Sequence, residues 1–213
     1  MIYAFLFTGL LLLTLPAGFL TGRRHQRATL VEIADRERLR MGWVNWLNLL
    51  DLSRAWAGLF LIREAFLLIH PAAAGHKLVL LVLTAAALAG LILQQVFHHD
   101  ADRDELVAPA AYAIGLTLAF LPPQVALLAL PLGLASALAL RSVGSGFLLS
   151  AAAVGALGIL FHQSMIKMAA ASCLLLFTPL LAALLQRRLV LIVRGRSHAR
   201  PAALRHIPVV AAR

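Results

Sequence analysis

Charge is scarce in this chain. Only 13% of its 213 residues are Asp, Glu, Lys or Arg, against 62% apolar, and a soluble domain carries about twice that charged share. The apolar residues form long Leu/Ala/Val stretches split by short polar breaks. At roughly 20 residues per membrane helix, this excludes an ordinary soluble domain and leaves a polytopic helical membrane protein. Cysteine is nearly absent too. Cys173 stands alone in an apolar run, so no internal disulfide can form. Zinc spacings, thiol pairs and phosphate-cradling glycine loops are missing, and no cofactor is expected.

Acidic residues are few: 9 against 19 Lys and Arg, for a formal net charge of +10. The basic residues cluster at 23–40 and 187–213. In a membrane protein such clusters set topology and draw anionic headgroups. No aromatic-interleaved basic platform accompanies them, which speaks against a nucleic-acid partner.

Lys and Arg are also lacking ahead of the first apolar stretch, residues 1–20, whereas Arg23, Arg24 and Arg27 follow it. A cleaved signal peptide has the opposite order. The expectation is a retained first helix with its N-terminus outside.

Six further apolar stretches follow at about 43–69, 77–97, 106–121, 124–140, 147–163 and 169–185, separated by Pro122-Pro123, by the break 141–146 and by Lys167. Neither proline can donate to a helical ladder. The fold class expected is therefore all-α: a bundle of seven membrane helices, residues 1–194, in the cytoplasmic (inner) membrane. A surface helix is expected at about 29–41, where Thr29 and Glu32 fit a capping box and Glu32 pairs with Arg36. Residues 195–213 read as a flexible basic tail. With the N-terminus outside, fifteen of the 19 basic residues fall inside, which fits an odd number of spans and a cytoplasmic C-terminus. Small residues recur every four positions as Ala111-Gly115-Ala119, Ala129-Gly133-Ala137 and Ala151-Gly155, stripes along which neighbouring helices can approach closely.

Chemistry is expected first on the second stretch. Asn45, Asn48, Asp51 and Arg54 recur at intervals of three and share one helix face. Each charge at membrane depth costs roughly 3 kcal/mol, so this face should turn inward. Two roles compete. In one, Asp51 and Arg54 form an intrahelical salt bridge and the asparagines bond across helices. In the other, the four line a polar cavity that binds or passes a small polar or anionic solute. Arg63-Glu64, near the outer end, reads as a solvated interfacial pair.

The second candidate is the acidic turn at 98–105, where His98, His99, Asp100, Asp102 and Asp104 are weak candidates for metal ligation. An EF-hand is excluded because its sixth-position glycine and distant glutamate are missing. The alternative is a solvated turn whose Asp104 and Glu105 favour the start of the fourth helix. Solute binding or translocation leads as function. An accessory or assembly subunit, with a membrane-protein partner or a second copy on the polar face, is the first alternative. A metal-dependent lipid-modifying enzyme using 98–105 is the second.

Overall fold

The computed structural model describes residues 1–15, 26–28, 46–69, 76–97 and 105–193. Seven helices are present among them: α1 (Ile2–Thr14), α2 (Trp46–Ile69), α3 (His76–Phe97), α4 (Ala110–Phe120), α5 (Pro123–Ala139), α6 (Val143–Leu160) and α7 (Met165–Leu184). Three short strands accompany them: β1 (Gln26–Ala28), β2 (Glu105–Val107) and β3 (Arg188–Val193). The body is all-α. One helix overlaps each of the seven apolar stretches. The expected surface helix at 29–41 and the tail at 195–213 lie outside the described residues.

Three helices, α3, α6 and α7, are long and apolar enough to cross a membrane. They make the chain a multi-pass membrane protein in contact with lipid, and Leu127, Leu148, Leu180 and Leu184 stand exposed on outward faces as lipid contact requires. Helices α1, α4 and α5 are apolar but shorter. Helix α2 has 24 residues and carries Asp51, Arg54, Arg63 and Glu64.

Small residues set the helix contacts. Helix α1 runs antiparallel to α2 with Gly9 against Gly58: a Cβ at Gly9 would come within 2.8 Å of the Gly58 carbonyl and 2.7 Å of Ile62. On another side of α2, Gly115 of α4 rests on the Leu52 carbonyl. Ala129, Gly133 and Ala137 of α5 are all buried, and Gly133 abuts Gly146 and Ser150 of α6. The third stripe is different. A Cβ at Gly155 would meet open space, and α6 offers Gly146 and Ser150 to α5 instead.

Two expected boundaries are corrected. Gly144, Ser145 and Gly146 belong to the first turn of α6 and do not form part of the break, because Gly146 is needed small: a Cβ there would lie 2.8 Å from the Ala137 side chain. The fourth helix starts at Ala110 and not at 106, since Leu106 and Val107 pair as a strand and Pro109 precedes the first turn. Glu105 therefore heads a strand, five residues before α4 begins.

The strands form a sheet in the order β1-β3-β2, with β3 antiparallel to β1 and parallel to β2. Val190, Leu106 and Val107 are buried, and Leu189 of β3 reaches Gly144 at the start of α6. Segments that follow α1, α3 and α7 are thus tied together at one end of the bundle, where α4 and α6 begin.

Candidate functional site

Helix α1 stops early. Leu15 is extended (φ −71°, ψ 123°) and Pro16 follows, which pushes its neighbour out of the helical region. At about 1.5 Å per residue the helix is roughly 20 Å long, so it ends within the bundle. Its last four carbonyls, those of Leu12, Leu13, Thr14 and Leu15, have no partner inside the helix. In a medium without water each such group must find a donor in the protein.

Three other helices supply those donors. Arg54 of α2 donates from Nη1 to the Leu12 carbonyl at 3.1 Å and also to the Leu15 carbonyl. Tyr112 of α4 donates its hydroxyl to the Leu13 carbonyl at 2.8 Å. Gln94 of α3 reaches the Thr14 carbonyl at 3.5 Å. Arg54 is 5% exposed. It is neutralised one turn back by Asp51, whose Oδ1 lies 2.6 Å from Nε, and it stacks over the Tyr112 ring at 4.9 Å from the centroid. A cation at a helix C-terminus also meets the negative end of the helix dipole. Gly90 lacks a side chain where the Tyr112 hydroxyl passes.

Of the residues expected to form the site, the structure brings Asp51 and Arg54 together. Asn48, one turn earlier, is half-buried. Asn45 lies outside the described residues, as do His98, His99, Asp100, Asp102 and Asp104. Among the described residues no group of three or more His, Cys, Asp or Glu is placed to hold a metal. Gln94, Tyr112 and the α1 carbonyls were missed by sequence reasoning. The signal available was modest: a glutamine pair and a single tyrosine interrupting apolar runs.

Two cavities lie along another face of α2, and neither is lined by Asn48, Asp51 or Arg54. One, of about 430 Å³, runs from Ser53 and Trp56 to Leu118, Pro123 and Ala126. The other, of about 250 Å³, lies between Trp56, Phe60, Arg63, Leu83 and Leu121. Trp56, Leu118 and Leu121 wall both, so the two adjoin along α2 and together make a trough. Its cause is local. Helix α4 has 11 residues, about 16 Å, and Pro122-Pro123 turns the chain back before the end of α2 is reached. The outer part of α2 is left with a notch beside it. Trp56 and Phe60 stack on one wall (5.7 Å, 15°) and are 46% and 41% exposed, so the trough opens sideways.

No family model, no curated protein and no solved structure matches the chain.

Proposed function

We propose that the chain spans the cytoplasmic membrane seven times, N-terminus outside and C-terminus in the cytoplasm, and binds an apolar or amphiphilic ligand taken sideways from the bilayer. Charge supports the orientation. The sheet joins 26–28 and 188–193, which belong to or adjoin the two arginine-rich regions, to one end of the bundle, and basic segments favour the cytoplasm. Labelling of single introduced cysteines, in a Cys173→Ala background, tests this: Gln163→Cys reacts with an impermeant reagent in intact cells, and Arg213→Cys reacts only after lysis. The reverse pattern inverts the topology.

One observation carries the ligand: the trough beside α2, whose larger part has a volume within the roughly 300–1,000 Å³ of small-molecule sites and whose walls are apolar except at its ends. The charged pair lies on a different face and is engaged with α1. Native mass spectrometry of the full chain released from mild detergent should find a retained chain-bearing ligand. Leu118→Trp and Ser53→Trp, which fill the trough, should remove it with the thermal midpoint nearly unchanged. Retention of the same ligand in both variants would refute the assignment.

Passage of a polar solute past Asn45, Asn48, Asp51 and Arg54 is a second reading. It is favoured by Asp51, whose side chain keeps 26% of its surface exposed while its partner is buried. Liposome flux abolished by Asp51→Asn, with the fold intact, would support it.

A further inference from the structure

We infer that the trough holds one acyl chain of an anionic phospholipid from the leaflet opposite the sheet, with the phosphate on Arg63; this rests on the lateral-binding function proposed above. Three features converge on that ligand. The first is charge. Arg63 is exposed at the outer end of the trough and makes no ion pair among the described residues, unlike Arg54 on the same helix. A guanidinium in that state matches a phosphate, which it can bind through two parallel hydrogen bonds.

The second is depth. Arg63 stands 17 residues beyond Trp46, about 25 Å along α2, which brings it close to the far boundary of a hydrocarbon layer ~30 Å thick when a tryptophan marks the near one. The third is length. From Arg63 down to Ser53 at the inner end is ten residues, about 15 Å, and half of a ~30 Å core is one leaflet. An extended acyl chain hung from a phosphate at Arg63 would pass Phe60 and Trp56 and end beside Ser53. A zwitterionic lipid fits the same trough by shape but brings a second cation to Arg63, so the site should discriminate by headgroup charge.

Trp56 reports occupancy directly. The chain has three tryptophans, and Trp43→Phe with Trp46→Phe leaves Trp56 as the only emitter. The full-length variant is reconstituted in phosphatidylcholine vesicles holding a minor fraction of brominated phosphatidylglycerol, and in phosphatidylglycerol vesicles holding the same fraction of brominated phosphatidylcholine. Bromine quenches tryptophan on contact. Relative affinity for the anionic lipid is expected to be about fivefold, the size of one basic side chain at a membrane surface. Arg63→Gln should abolish the preference, and Arg63→Lys should keep most of it. Equal quenching by the two lipids, or an unchanged preference in Arg63→Gln, overturns the headgroup assignment and leaves lateral binding standing. Absence of quenching by either lipid overturns lateral binding itself. If Arg63→Gln fails to reconstitute, raising the salt concentration on the parent protein replaces it, and a preference insensitive to salt overturns the role of Arg63.

Discussion

Helices α5, α6 and α7 end in one way and α1 ends in another. At the first three, Arg141, His162 and Gln186 take left-handed conformations (φ 48°, 50° and 53°), and the next amide reaches back five residues: Ser142 to Ala137 at 3.1 Å, Gln163 to Gly158 at 2.9 Å, Arg187 to Ala182 at 2.9 Å. These are Schellman ends, in which the chain closes its own orphan carbonyls. Helix α1 has no such turn. It stops inside the bundle, and four carbonyls are met by Arg54, Tyr112 and Gln94 from three different helices. A helix that finishes at the surface can solve its end locally, with water close by. One that finishes in the interior must borrow donors across the fold, and the borrowed donors then lock the helices together.

Removal of the central donor should have the largest effect. Arg54→Ala leaves the Leu12 and Leu15 carbonyls unpaired and Asp51 uncompensated, and loss of one partner from a buried pair costs about 3–5 kcal/mol. Arg63→Ala, on the same helix but exposed, should stay within about 0.5 kcal/mol of the parent. Reversible unfolding in mixed micelles measures both. Equal destabilisation would show that Arg54 is not a cap but one more interfacial charge.

Tyr112→Phe isolates the second donor. The ring stays beneath the guanidinium while the hydroxyl bond to Leu13 is lost, leaving a buried carbonyl unsatisfied at a cost of about 1–2 kcal/mol. Because Gly90 is small to let that hydroxyl pass, Gly90→Ala should be strongly destabilising in the parent and much milder beside Tyr112→Phe. A double-mutant cycle gives the coupling, and additive effects would deny that the hydroxyl fills the space at Gly90.

Much of this was legible in the sequence, for stated reasons. Each of the seven apolar stretches overlaps one helix, and in three of them, α3, α6 and α7, the run is long and apolar enough to cross a membrane. Asp51 and Arg54 were legible as a pair because their spacing of three puts them on one face. Their true partner was not. Spacing along a helix says nothing about which neighbouring helix stops beside it, and the carbonyls of Leu12 to Leu15 are backbone groups that every residue carries. One feature misled and one went unread. Gly144, Ser145 and Gly146 suggest a break by composition, yet all three are helical and Gly146 packs tightly against Ala137. Arg188 to Val193 follow the last apolar stretch, and their Val190, Ile192 and Val193 are β-branched, a strand cue that sequence reasoning did not use. The partners of β3, at 26–28 and 105–107, are too remote in sequence to be read from pattern.

The smallest effect is expected at the C-terminus of α6. If α6 truly closes its own end, the burden sits in the backbone of His162, an L-residue held at φ 50°, and its exposed side chain contributes little. Left-handed geometry costs such a residue roughly 1–2 kcal/mol, part of which glycine returns through its greater freedom when unfolded. His162→Gly should therefore raise stability by about 0.5–1 kcal/mol, with the Gln163 to Gly158 bond kept. No glycine substitution at Leu15 can do the same for α1, because its backbone is extended and its carbonyls are already held by side chains. A loss of stability in His162→Gly would mean that the side chain, and not the turn, holds that end of the helix.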